Sequence, residues 1–147
     1  MNFFEPQQMS ICLDSAIRVM DEDACSGLGF GRVHLKSTQD NKTFFINKDL
    51  QERNATSYLY LEMDYRTDVM LTVSMESSIV VGGTKSLEGV VTLYATDDKW
   101  HKIYINLGRT WKYFNYNPNF RIGFSALNPE RIDGNVDIDN LKILSIR

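Results

Sequence analysis

No stretch of this 147-residue chain approaches the roughly 18 consecutive apolar residues of a membrane-crossing helix, so no span is expected. Histidine occurs twice and cysteine twice. His34 and His101 sit outside any His-Glu-x-x-His frame, and Cys12 and Cys25 have no histidine pair beside them. A zinc site through sulfur and thiol catalysis both therefore lack their parts. The two cysteines could close a disulfide loop in an oxidising compartment, or equally remain two buried thiols. Charge of one sign is not concentrated anywhere. The 16 basic and 19 acidic residues are interspersed, giving a net charge of -3 without the basic stripe that grips phosphate, and nucleic acid is not an expected partner. Repeats and low-complexity tracts are absent, and Met1 to Pro6 lacks the charged-then-apolar order of a secretion signal. Helical periodicity is scarce too, although Ile11 to Met20 could be read as a short helix.

What the chain does contain is alternation of period two, which places one set of side chains on a buried face and the other toward solvent. Leu59, Leu61 and Met63 alternate with Tyr60, Glu62 and Asp64 over Tyr58 to Tyr65, and Val69, Leu71, Val73 and Met75 alternate with Thr72 and Ser74. Arg66-Thr67-Asp68 between them predicts a hairpin or a corner. Ile103 to Leu107 and Phe120 to Ala126 read as two more half-buried strands. From Val136 to Ile146 the phase shifts through Asp139-Asn140, as a β-bulge would make it do. Ile11 to Val19, Phe30 to Lys36, Phe44 to Asn47 and Val90 to Ala95 are weaker candidates. Turn residues punctuate these runs at Gly82-Gly83, Asp97-Asp98, Asn117-Pro118-Asn119, Asn128-Pro129 and Asp133-Gly134-Asn135. A chain of this size can bury about 70% of its unfolded surface, and its 43% hydrophobic and 24% charged composition is ordinary for a globular domain. The expectation is one all-β domain, a two-sheet antiparallel β-sandwich over residues 9–147, with residues 1–8 as a loose lead-in.

Three segments carry a resemblance: Tyr58-Leu-Tyr-Leu-Glu-Met-Asp-Tyr-Arg-Thr-Asp68, Trp100-His-Lys-Ile-Tyr-Ile-Asn-Leu107 and Gly134-Asn-Val-Asp-Ile-Asp-Asn-Leu-Lys-Ile143. In this order they resemble the later strands of jelly-roll modules of the carbohydrate-binding and galactose-binding-like kind, including those of bacterial surface lipoproteins of unknown function. The resemblance covers residues 56–147, with a looser match at Ser26 to Leu35. It implies a jelly-roll sandwich, an extracellular, cell-surface or periplasmic setting, and a glycan as ligand in many relatives, while others serve only as spacers. A structural Ca²⁺ near the terminal strands is also common in such modules.

Sugar sites on sandwiches use exposed rings, because the C–H face of a pyranose stacks on a π-surface while polar neighbours bond its hydroxyls. Trp111 to Phe120 places five aromatics and three asparagines between two strand patterns. Trp111, Tyr113 and Tyr116 with Asn115 and Asn117 are the candidate ligand-binding residues. The alternative is that Trp111 and Phe114 cap the core while the asparagines fix the loop backbone. For Ca²⁺, Asp133, Asp137 and Asp139 offer hard oxygen ligands at alternate positions, with Asn135 between them, although no EF-hand order is present and the acids could simply be solvated. No catalytic residue stands out, so no enzyme is expected. The sequons Asn41-Lys-Thr43 and Asn54-Ala-Thr56 are of the frequency chance supplies. Two functions remain in view, a non-catalytic glycan-binding module and a structural or protein-interaction module, the latter through an edge such as Ser78 to Gly83.

Overall fold

In the computed structural model, residues 17–20, 25, 29–47, 58–81, 84–117 and 119–146 are described. They form nine strands and one short helix: β1 Arg18–Met20, β2 Phe30–Leu35, β3 Asn41–Asn47, β4 Tyr58–Thr67, β5 Met70–Val81, β6 Thr84–Leu93, β7 His101–Asn106, α1 Gly108–Tyr113, β8 Phe120–Leu127 and β9 Gly134–Ile146. Five strands make one sheet in the order β1-β2-β9-β4-β7, and four make the other in the order β3-β8-β5-β6. All pairings are antiparallel. This is the two-sheet jelly-roll sandwich that the alternation and the resemblance predict. The turn at Arg66 to Asp68 proves to be a corner, since β4 and β5 lie in different sheets.

The core lies between the sheets, where alternate residues meet: Leu59, Leu61 and Met63 of β4 and Val136 and Ile138 of β9 face Leu71, Val73 and Met75 of β5 and Ile122, Phe124 and Ala126 of β8. The phase shift near Asp139 is a bulge. Three steps of β9, Asp139 to Lys142, lie opposite the two from Asp64 to Glu62, and Asn140 takes a left-handed backbone at φ 50°. Asn tolerates that conformation where most residues would be strained. Its side chain donates to Asp64 at 2.6 Å, and Leu141 and Ile143 return to the core.

Two features depart from the expectations. Ser78 to Val81 continues β5 past the point where its register with β8 ends at Ser77 and Phe120, and after an irregularity between Glu76 and Val80 it pairs with β6 again at Val80 and Val81. It is one arm of a ribbon, and Gly82-Gly83 lies outside the described residues. The segment Trp111 to Phe120, expected as loop, begins within a turn of helix, Gly108–Tyr113. Leu107, Trp111 and Phe114 stand at helical spacing and are all buried, so the turn of helix closes one margin of the core. No helix among the described residues is long and apolar enough to cross a membrane.

Candidate functional site

The predicted aromatic segment divides into buried and exposed parts. Trp111 is fully buried, its Nε1 donates to the Asn117 carbonyl at 3.0 Å, and Tyr116 meets its ring edge-on at 5.3 Å. Its expected role as a ring open to a sugar is thus corrected: the helical turn drives it into the core, as it does Phe114. Asn117 fixes the turn, its Oδ1 accepting from the Asn119 amide at 3.0 Å, while Asn115 is exposed with φ 52° and Tyr116 is half-buried with φ 55°. Of the three candidate rings, Tyr113 alone is widely open, at 68%. It stands beside a groove of about 400 Å³ lined by Glu88, Gly89 and Val90 of β6 and by Asn106, Arg109 and Thr110.

Asp133, Asp137 and Asp139 do not converge on a cation. Asp133 accepts the Ser37 amide at 2.8 Å. Asp137, almost fully buried on the outer face of the five-stranded sheet, takes two bonds from Arg32 at 2.7 and 2.9 Å and one from Arg66 at 3.0 Å. Its charge is already more than balanced. Asp139 is buried and accepts the Asn140 amide within the bulge. Successive outward positions on a strand are about 7 Å apart, so Asp137 and Asp139 on β9 spread rather than gather, and Asp133 lies before the strand. Among the described residues no group of three or more His, Cys, Asp or Glu could hold a metal ion. Cys25 is a free, exposed thiol. Partial burial first, then the neighbouring Asp64 carboxylate, pushes its pKa up. Cys12 lies outside the described residues.

On the same outer face, Glu62 receives Lys102 at 3.1 Å and has Lys142 at 3.5 Å. Burial alone would raise this carboxyl, but the hydrogen bond and charge of Lys102, joined by Lys142, outweigh it and hold Glu62 below the ordinary range. Phe30 is covered here rather than in the core, with Trp100 edge-on at 5.4 Å and the Arg32 and Arg66 guanidinium groups over its ring at 5.3 and 5.7 Å. Around Phe30, Arg32 and Asp137 this face is closed by its own contacts, but toward β7 Tyr58 and Tyr104, 66% and 58% exposed, stand open on it.

The outer face of the four-stranded sheet is organised differently, in rows that only the strand register shows. One row is Thr43, Ser125, Thr72 and Thr92, a hydroxyl on every strand, with Thr43 and Ser125 bonded at 3.1 Å and Thr72 and Thr92 at 3.1 Å. The next is Phe45, Gly123, Ser74 and Gly89. With no side chain at Gly123, the half-buried Phe45 ring lies over it: a Cβ there would come within 2.9 Å of the ring and 3.6 Å of Leu87 Cδ1. Phe45 and Leu87 thus converge from β3 and β6 into an apolar strip across the sheet. Leu87 is 47% exposed. In the next row, which ends at Leu87 on β6, Arg121 is held by Glu76 through two bonds of 2.9 and 3.2 Å, with its guanidinium 3.8 Å from the Phe45 ring centre. The face therefore sets apolar surface, a row of hydroxyls and a fixed Arg–Glu pair side by side.

Comparison with known proteins places the fold. The sequence matches no protein-family model and no curated protein sequence. Its structure is similar to the family 30 carbohydrate-binding module of a cellulosomal cellulase of Clostridium thermocellum, at 17% identity and TM-score 0.64, covering 90% of this chain and 85% of that one. It is similar to the xylan-binding family 22 module of a Paenibacillus barcinonensis protein, at 10% identity and TM-score 0.60, covering 92% and 85%. A family 61 module solved in complex with β-1,4-galactotriose matches at 14% identity and TM-score 0.54, covering 90% and 84%. The chain has the jelly-roll fold of carbohydrate-binding modules.

Proposed function

We propose that this chain is a non-catalytic carbohydrate-binding module whose ligand lies on the outer face of the four-stranded sheet. The observation that carries this reading is the ordered set of rows there: Phe45 and Leu87 for the C–H faces of a sugar, Thr43, Ser125, Thr72 and Thr92 for hydroxyls on one side, and Arg121 with Glu76 for hydroxyls on the other. Arg121 is pre-organised by its two bonds to Glu76, so little side-chain freedom is lost when it meets a ligand. The fold supports a glycan as partner, since similar structures include modules named for xylan and solved with galactotriose or mannohexaose. An extracellular, cell-surface or periplasmic setting goes with that ligand class. Tyr113 belongs to the same reading through the groove beside it.

Arg121→Ala tests it. In titrations with β-1,4-galactan, mannan, xylan and glucan oligosaccharides, the variant is expected to lose at least about tenfold in affinity for whichever ligand the parent binds, an effect of the size seen when one buried charged hydrogen-bonding group is removed. Unchanged binding by the folded variant would take the ligand off this face. The second reading, a module that docks another protein by strand addition, is favoured by the Ser78 to Val81 arm of β5, which among the described residues pairs only with β6, at Val80 and Val81.

A further inference from the structure

The strip on the four-stranded sheet does not stop at the sheet. Its last strand is β6, and there Leu87 is followed by Glu88, Gly89 and Val90, the three residues that line one wall of the groove beside α1. Gly89 belongs to both surfaces, as the end of the row Phe45, Gly123, Ser74 and Gly89 and as part of the groove lining. The register slips between Val73 and Ser74 opposite β6, so Val90 is an extra residue and the edge strand bulges at this crossing. A Cβ added at Gly89 would touch only Thr72 Cγ2, at 3.9 Å, so the glycine leaves open space rather than relieving a clash. Across that low point stands Tyr113, exposed, with Arg109, Thr110 and Asn106 around it.

We propose that the two surfaces form one continuous site for a linear, neutral polysaccharide, which crosses the sheet along Phe45 and Leu87, passes over Gly89, and ends with a sugar stacked on Tyr113 in the groove. This rests on the glycan-binding reading of the sheet face. Three strand spacings from β3 to β6 amount to about 14 Å before the groove begins, longer than one sugar unit, so the ligand is an internal stretch of chain rather than a terminal residue. Neutral chemistry follows from the charges along the path, where Arg121 is paired with Glu76 and Arg109 shares its groove with Glu88. A polyanion would meet a carboxylate at both places.

The experiment measures affinity against chain length, from disaccharide to hexasaccharide of β-1,4-galactan, mannan, xylan and glucan, for the parent, Tyr113→Ala and Gly89→Gln. The parent is expected to bind hexasaccharide more tightly than disaccharide. Tyr113→Ala is expected to lose about tenfold on the hexasaccharide and nothing on the shortest ligand the parent binds, because only the long chain reaches the groove. Gly89→Gln, whose side chain stands in the path, is expected to give the same length-selective loss while its melting temperature matches the parent's. If Arg121→Ala abolishes binding but both groove variants bind every length as the parent does, the continuous site is wrong and the sheet-face reading stands. Binding of no oligosaccharide by the parent would overturn both.

Discussion

Trp111→Ala is expected to destabilise the domain by about 3–5 kcal/mol, the range for deleting a large buried aromatic side chain. The ring is fully buried, and the substitution removes more than its volume. Nε1 donates to the Asn117 carbonyl, so that acceptor loses its partner, and Tyr116 loses the ring it packs against edge-on. Leu107 and Phe114, one turn away on either side, would line the vacated space. A typical domain is stable by about 5–15 kcal/mol, so such a loss shifts the urea midpoint far toward zero. Trp111→Phe should recover much of the packing while leaving the Asn117 carbonyl without its donor. A loss below about 1 kcal/mol for the alanine variant would mean the helical turn does not close the core as described. The experiment also separates packing from recognition on the sheet, because the folded fraction of Trp111→Ala should bind the shortest ligand, which does not reach the groove beside α1, as the parent does.

Asp137→Ala is expected to cost about 3 kcal/mol, at the lower end for breaking a buried ion pair because Arg32 is partly solvated. The cost arises from what remains. Without the carboxylate, Arg32 and Arg66, both over Phe30, lose the anion they share, and Arg66 keeps only its longer pair to the exposed Asp98 at 3.6 Å. The hydrogen bond to Asp137, which raises the Arg32 pKa, is lost with it. Screening distinguishes this from a simple cavity: the deficit measured by urea unfolding should shrink as salt rises, since added ions weaken the repulsion. A salt-independent deficit would contradict the charge argument. Arg32→Ala in the same background should restore part of the stability.

The strands were legible because half of each is buried, and alternation such as Leu59, Leu61, Met63 survives any tertiary detail. The bulge at Asn140 was legible for the same reason, since a phase shift in a buried strand has few other causes. The helix was not, although Leu107, Trp111 and Phe114 carry its spacing, because six residues are too few for a periodic pattern to stand out. Crowded aromatics in a segment between strands look like a platform until the backbone shows which way each ring points. Trp111 and Tyr113 are two residues apart and face opposite ways. The face of the four-stranded sheet was hidden for another reason. Phe45, Gly123, Ser74 and Gly89 are neighbours only through strand register, and a strand order of β3-β8-β5-β6 cannot be read from alternation within each strand.

A glycan lying across that face is detected most directly by backbone amide chemical-shift mapping of the isotope-labelled domain during titration with the best-bound oligosaccharide. The shifts are predicted to concentrate at Thr43, Phe45, Arg121, Ser125, Thr72 and Leu87, and to continue to Gly89 and Tyr113 with a long chain. Saturable shifts confined to the five-stranded sheet, around Arg32, Glu62 and Asp137, would contradict it.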